Sequence, residues 1–393
     1  MNKRKLAIFT GHRSEYGLQY PIIKAVDKHT DLEYYLLVSG AHLQEDFGYT
    51  KAEIEKDGFR IHAEVKLTME KDTLYSTAQA IGSGILSISN ILNQLKPDFL
   101  VVYGDRFESL SAVVTGTQMN IPTAHIEGGD LTEGGALDDS VRHAITKLAH
   151  LHFCTNEEAQ DRILGLGEEP WRVHNVGFPA IDLLAEGNYA SPEEIQKKYS
   201  LDATIPLILF TQHSVTTEFH KADRQVEPSL DALVECARAG IQVVITYPNN
   251  DAGGKGIINA IEELRQKKIP NLFIYKSLGR YNYHGMLNMC GNNGACVGNS
   301  SSGIKETSFF GVPTVNIGSR QNSRLRSTNI IDAGYNKAEI KIAIEKCLSD
   351  KVFRNECGTC VNPYGIGKAG EKIADVLADT PMGKIMLQKK MTF

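Results

Sequence analysis

Two acidic residues stand where short apolar runs end. Asp105 follows Phe99–Tyr103 and Gly104, and Glu127 follows Thr123–Ile126 directly. Two carboxylates beside a cation can remove and return a proton at a weakly acidic carbon. The cation is at hand. Asp138-Asp139-Ser140 opens a helical pattern in which Arg142 and His143 lie about one turn further on. One of those aspartates is suited to cap the helix. Two histidines occupy equivalent strand-end positions, His42 after Ser39-Gly40-Ala41 and His213 after Gln212. Either can orient a substrate or pass a proton near neutral pH.

A second set of residues is suited to an anion. Gly298-Asn299-Ser300-Ser301-Ser302-Gly303-Ile304-Lys305-Glu306 reads as a strand end, three hydroxyls and a helix start. Free backbone N–H groups, hydroxyls and the positive end of a helix can cradle a diphosphate. Glu306, one turn in, can accept hydrogen bonds from ribose hydroxyls. Arg320, in Gly318-Ser319-Arg320-Gln321, and Arg13, in Gly11-His12-Arg13-Ser14, add guanidinium groups at two further strand ends. Asn249 lies in another such loop, Pro248-Asn249-Asn250-Asp251.

Other patterns fail on context. Gly365-Ile366-Gly367-Lys368-Ala369-Gly370 is spaced like a dinucleotide fingerprint, but it follows Asn362-Pro363-Tyr364 and no strand. It reads better as a turn opening the last helix. Gly254-Lys255 lacks the first glycine and the Ser/Thr of a phosphate-binding Walker loop. Cys357-Gly358-Thr359-Cys360 with His125-Ile126-Glu127 lacks the proline of a zinc deaminase. The sequence is therefore read without a metal and without a bound cofactor.

The elements that must position these residues alternate regularly. Strand-like runs fall at Leu6–Phe9, Glu33–Val38, Phe99–Tyr103, Thr123–Ile126, His152–Cys154 and Val173–Val176, with helical patterns between them. After a polar stretch, Gly187–Thr204, the pattern restarts with Leu207–Thr211, Gln242–Thr246, Leu272–Tyr275, Ala295–Val297 and Thr314–Ile317. Short continuous apolar strands separated by helices predict parallel sheets covered on both faces. At roughly 150 residues per domain, 393 residues predict two. The expected fold is therefore α/β, two Rossmann-like halves. The boundaries are 1–186, 187–367 and a terminal helical segment 368–393, with the polar stretch as linker and the site in the cleft between the halves.

Composition narrows the functional classes. The net charge is −5, without the basic excess that a nucleic-acid backbone demands. No apolar run approaches the ~20 residues that span a bilayer, and the short run after Lys5 reads as a buried strand, not a signal peptide. Seven scattered cysteines, an odd number, predict free thiols in a reducing cytoplasm.

In order along the chain, Gly11–Tyr16, Gly104-Asp105-Arg106, His125–Gly129, Asp138–Lys147, Gln212-His213, Gly298–Glu306 and Asn316–Gln321 resemble the hydrolysing UDP-N-acetylglucosamine 2-epimerases. The resemblance covers nearly the whole chain. It implies the glycosyltransferase-B architecture, a final helix returning to the first domain, and no need for NAD or metal. The implied reaction is conversion of UDP-N-acetylglucosamine to N-acetylmannosamine and UDP by elimination and hydration, for sialic acid-type sugars. A UDP-sugar is the implied partner, and a homodimer or higher homo-oligomer the implied assembly. By position, Arg13, Asn249, Leu278, Ser300, Ser301, Ser302, Gly303, Glu306 and Arg320 fall in the UDP-binding set. Asp105, Glu127, Asp138, Arg142 and His213 fall in the catalytic group, with His42 in a matching loop. Gly17 departs from the animal enzyme, which has a UDP-contacting serine there. So does Ser277, where that enzyme has the histidine of a Lys-His pair used by its feedback inhibitor. Two alternatives share the pocket: the same reaction on UDP-N,N′-diacetylbacillosamine, and transfer of the sugar to an acceptor.

Overall fold

The structure is a computed structural model that describes residues 3–43, 51–67, 73–132, 137–249 and 251–393; the side chains of residues 13, 14, 41, 74 and 216 lie outside that description. The elements run β1 (Arg4–Thr10), α1 (Arg13–Lys28), β2 (Leu32–Ser39), α2 (Lys51–Lys56), β3 (Ile61–Val65), α3 (Leu74–Leu95), β4 (Phe99–Tyr103), α4 (Phe107–Gln118), β5 (Thr123–Ile126), α5 (Leu137–Leu148), β6 (Leu151–Cys154), α6 (Glu157–Gly165) and β7 (Val173–Asn175). They continue α7 (Ala180–Ala185), α8 (Pro192–Tyr199), β8 (Leu207–Thr211), α9 (Ala222–Arg238), β9 (Gln242–Thr246), α10 (Gly254–Gln266), β10 (Leu272–Tyr275), α11 (Arg280–Asn293), β11 (Gly294–Gly298), α12 (Ser302–Lys305), β12 (Thr314–Ile317) and β13 (Ile330–Ala333). The chain closes with α13 (Lys337–Ser349), α14 (Lys351–Gly358), α15 (Ala369–Asp379) and α16 (Lys384–Leu387). Two compact units result, one of Met1–Asp130, Leu137–Asp182 and Gly367–Phe393, the other of Leu131–Ala136 and Leu183–Ile366.

The first unit is built on a seven-stranded sheet of order β3-β2-β1-β4-β5-β6-β7, parallel throughout. Side chains along β1 alternate between its two faces. Leu6 and Ile8 join Ile22, Ile23, Ile373 and Leu377 under α1 and α15. Ala7 and Phe9 join Ile88, Leu92, Val102 and Val113 under α3 and α4. Burial on both faces explains why β4, Phe-Leu-Val-Val-Tyr, is apolar at every position.

The turn at Gly365–Gly370 opens α15, as its context predicts. Asp182 accepts from the backbone N–H groups of Ala369 and Gly370 at 2.8 and 2.7 Å. A Cβ on Gly370 would lie 2.6 Å from the Pro21 carbonyl oxygen, so glycine is required where α15 crosses α1. The final residues also anchor α5, because Lys389 Nζ donates to the carbonyls of Lys147 and Ala149 at 2.8 and 2.6 Å.

The second unit carries a six-stranded sheet of order β10-β9-β8-β11-β12-β13, again all parallel. Three elements differ from the sequence expectation. β3 and β13 are edge strands with polar residues in them, so they lack the continuous apolar run of the central strands. The stretch expected as a linker folds into α8, whose capping box joins Ser191 and Glu194. Its Ile195 and Tyr199 enter the second unit's core with Leu207, Leu209 and Met286. Among the described residues no helix is long and apolar enough to cross a membrane.

Candidate functional site

In each sheet the strand order reverses once, between β1 and β4 in the first unit and between β8 and β11 in the second. Loops at the carboxyl ends beside such a reversal are where open α/β sheets place ligands. The loops carrying Asp105 and Ser300–Ser302 follow β4 and β11, strands at these two points.

In the first unit, Gly104 turns the chain out of β4 at φ 68°, a left-handed conformation that glycine adopts freely. Its N–H bonds the Ile126 carbonyl at 2.9 Å. Asp105 follows and accepts from Arg142 Nη2. Arg142 Nη1 donates to the Glu127 backbone carbonyl at 3.1 Å. One guanidinium, 4% exposed, thus draws together Asp105, Glu127 and α5. The surrounding carboxylates Asp105, Glu127, Asp130 and Asp139 hold its pKa above the ordinary arginine range against the opposing effect of burial.

Glu127 has φ 62°, in the left-handed region that a residue bearing a Cβ rarely adopts. Strain of about 1–3 kcal/mol at such a residue persists only where the surroundings impose it. Here its N–H bonds the Phe153 carbonyl at 2.9 Å, and Arg142 takes its C=O. Beside it, Tyr103 is buried, and its phenol is pushed well above the usual range, first by burial and then by Glu127.

His125 ties the same loops together, although sequence reasoning passed over it. Its Nε2 lies 2.7 Å from the Gly104 carbonyl, which only accepts, so Nε2 carries the proton. Its Nδ1 then accepts from the Thr146 hydroxyl at 3.1 Å. Burial lowers its pKa to about 3, which keeps the ring neutral. The available signal was its position in β5, two residues before Glu127.

The remaining first-unit candidates sit differently. His42 is fully buried. Its Nε2 is 3.2 Å from the Thr10 hydroxyl, its ring meets Tyr16 edge-on, and burial lowers its pKa to about 4. Asp138 is exposed on the first turn of α5, whereas its neighbour Asp139 is buried. Arg13 opens α1, and its side chain is outside the described set.

In the second unit, Asn299 organises the group. A Cβ at the preceding Gly298 would stand 2.0 Å from the Thr211 carbonyl, so only glycine lets β11 and β8 run this close at their ends. The Asn299 side chain accepts from His213 N–H at 2.7 Å and donates to His213 C=O at 2.9 Å. Its own carbonyl accepts from Arg320 at 3.2 Å and Gln321 at 2.8 Å. Asn299 and Gln321 were not among the candidates, because their contacts join loops that are far apart in the sequence.

The Asn249 backbone N–H donates to His213 Nδ1 at 3.0 Å. That leaves Nε2 as the protonated nitrogen of a neutral ring. Burial, and then Arg320, lower this histidine's pKa to about 3, so it is a neutral donor at working pH. The Asn249 amide donates to Asp251 at 2.5 Å.

The expected helix after Gly298 is short. α12 spans only four residues, and Ser301, its N-cap, makes no side-chain cap bond. A helix this short contributes little dipole, so the polar character of the loop comes from its hydroxyls and Arg320. Ser302 Oγ donates to Ser300 Oγ at 3.1 Å, and Gly303 N–H bonds the Ser300 carbonyl at 3.1 Å. Glu306 is nearly buried at the end of α12. Leu278 packs in the core, and its carbonyl accepts from Asn282 at 2.7 Å. Among the described residues no group of three or more His, Cys, Asp or Glu could hold a metal ion.

Two doubly wound parallel sheets, with an acid-and-arginine group beside the strand reversal of one and a hydroxyl-and-arginine loop beside that of the other, define a two-unit α/β protein. The family model described as UDP-N-acetylglucosamine 2-epimerase matches residues 24–378. The chain belongs to that family, as its motifs led one to expect. The GDP/UDP-N,N′-diacetylbacillosamine 2-epimerase (hydrolyzing) of Campylobacter jejuni is 34% identical over 90% of each chain. The UDP-N-acetylglucosamine 2-epimerase of Neisseria meningitidis serogroup B is 29% identical over 98% of each. The expected fold is also found in a UDP-GlcNAc 2-epimerase from Neisseria meningitidis solved with UDP-GlcNAc bound. It superposes with a TM-score of 0.80 at 16% identity, over 95% of this chain and 99% of that one.

Proposed function

We propose that this protein is a hydrolysing 2-epimerase that converts a UDP-2-acetamido sugar and water to UDP and the free 2-epimeric sugar, for sialic acid-type biosynthesis. The observation that carries the reading is one buried guanidinium that pairs with the Asp105 carboxylate and holds the backbone carbonyl of Glu127. One of these acids removes the C2 proton as the C1–O bond breaks, and the electron pair of that bond leaves with UDP. Water then adds at C1 of the resulting C1–C2 double bond, while a proton returns to C2 from the opposite face. The second unit serves the nucleotide. Ser300–Ser302 and Arg320 take the growing charge of the diphosphate, and His213, neutral with Nε2–H free to donate, assists the departing oxygen. Arg13, Asn249 and Leu278 complete the nucleotide contacts. Asp138 and His42 support the acid group.

UDP-N-acetylglucosamine is the first substrate reading, on the likeness of His125–Gly129 and Asp138–Ser140 to enzymes that make N-acetylmannosamine. The second is UDP-N,N′-diacetylbacillosamine, favoured by the higher identity to the C. jejuni enzyme named for that sugar. The loop Asp130–Leu137 is the candidate for reading C4 and C6; residues 133–136 of it lie outside the described set.

The test is NMR of the product formed in D₂O from each UDP-sugar without an acceptor. Free sugar with deuterium at C2, plus UDP, is expected. A product without C2 label would refute the elimination route, and an intact UDP-sugar product would make the enzyme non-hydrolysing. A preference above about tenfold in kcat/KM, some 1.4 kcal/mol, decides between the sugars.

A further inference from the structure

Residues 283 and 284 of α11 belong to no motif read from the sequence, yet both reach the hydroxyl loop of the same unit. The Tyr283 hydroxyl lies 2.6 Å from Ser302 Oγ. The His284 ring, 3% exposed, places Nε2 at 3.2 Å from Glu306 Oε2. A carboxylate only accepts, so Nε2 is the protonated nitrogen. His284 Nδ1 is buried and has no hydrogen-bond partner among the described residues. The ring is therefore committed to a single bond, the one to Glu306.

The backbone enforces this placement. A Cβ on Gly285 would lie 2.5 Å from the Ala190 carbonyl oxygen, so α11 is pressed against the chain just before α8 with no freedom to roll. Met286, Leu287 and Cys290, on the same helix, are fully buried. A glutamate side chain on a short helix end samples several rotamers in the absence of a partner, and ordering it on binding costs affinity. His284 removes that cost by fixing one carboxylate oxygen in advance and leaving the other, Oε1, to accept.

We propose that His284 is a positioning residue for nucleotide selection: it holds Glu306 in the orientation that accepts from the ribose hydroxyls, and so makes this unit select ribonucleoside over deoxyribonucleoside diphosphates. The inference rests on the reading that residues 300–306 hold UDP. It adds to that reading, and to the expectation that Glu306 accepts from ribose, the residue that fixes the acceptor's orientation.

The experiment is calorimetric titration of the full-length protein with UDP, 2′-deoxy-UDP and 3′-deoxy-UDP. The wild type is compared with Glu306→Gln, His284→Phe, His284→Gln and the double variant His284→Phe/Glu306→Gln. The wild type should bind UDP about 10- to 100-fold more tightly than at least one deoxy analogue, the usual worth of a hydrogen bond to a charged group. His284→Phe should lower UDP affinity to that of the analogue while leaving the analogue's own affinity unchanged. Such a collapse of the ratio separates lost positioning from general loosening of the fold. His284→Gln, which keeps a donor, should restore part of the ratio. The double variant should be no worse than Glu306→Gln alone, because the two residues act through one contact. In turnover, KM should rise with kcat nearly unchanged.

If Glu306→Gln loses the discrimination and His284→Phe keeps it, the positioning role is overturned and the ribose reading stands. If Glu306→Gln itself keeps the discrimination while UDP still binds, the ribose reading beneath the proposal fails, and the proposal with it.

Discussion

Asp105→Asn separates chemistry from architecture at this site. The substitution keeps the shape of the side chain and one oxygen that can accept from Arg142, but removes the charge and the basicity. Breaking a fully buried ion pair by deleting one partner costs about 3–5 kcal/mol. Asp105 is 24% exposed at its side chain, and the asparagine oxygen keeps one hydrogen bond, so screening and retention reduce the expected loss to about 1–2 kcal/mol of stability. Catalysis should fall much further. Loss of a general acid or base lowers kcat by about 10²–10⁴, or roughly 3–5 kcal/mol of transition-state stabilisation. UDP affinity should change less than about twofold, because the residues proposed to hold UDP are mainly in the second unit. Urea melts give the stability change, UDP release under saturating UDP-sugar gives kcat, and calorimetry gives UDP affinity. A kcat loss below tenfold alongside the expected stability loss would make Asp105 a structural partner of Arg142 and no more. A tenfold loss of UDP affinity would refute the division of labour between the units.

Asn299→Ala should cost about 2–4 kcal/mol of stability by leaving the His213 N–H and C=O without their partners, and it should weaken UDP binding as the His213 loop loses its anchor to β11. Unchanged UDP affinity in a titration would show that the clamp is irrelevant to the nucleotide. Stability should also fall as pH drops from about 6.5 towards 4. His125, His213, His42, His150 and His152 are all held with pKa values of about 3 to 4 by burial. Between those values and the unfolded pKa the unfolded chain binds more protons, so stability rises with pH there and is fully present above about 6.5. Glu15, whose pKa burial raises to about 8, works in the opposite direction, but it is one group against five. Melts from pH 4 to 8 that show no acid destabilisation would contradict this.

The sequence by itself determined the β–α alternation, and with it two parallel sheets whose central strands begin and end close to where they were expected. The reason is local. A strand buried on both faces must be apolar at each position, and a run such as Phe99–Tyr103 states this within five residues. The edge strands β3 and β13 carry no such demand and were not legible. Strand ends were legible too, and with them Asp105, Glu127, His213 and Ser300, because a polar residue immediately after an apolar run has few other places to go. Contacts across the chain were not. The Arg142–Asp105 pair joins residues 37 apart, and the Asn299–His213 clamp residues 86 apart. These pairings depend on which strands become neighbours, and strand order is set by the packing of helices on the finished sheet. The left-handed backbone of Glu127 and the commitment of His284 to Glu306 are likewise products of the folded environment. Only the tertiary structure supplies the bonds that hold a strained acid, or a nearly buried carboxylate, in a single orientation.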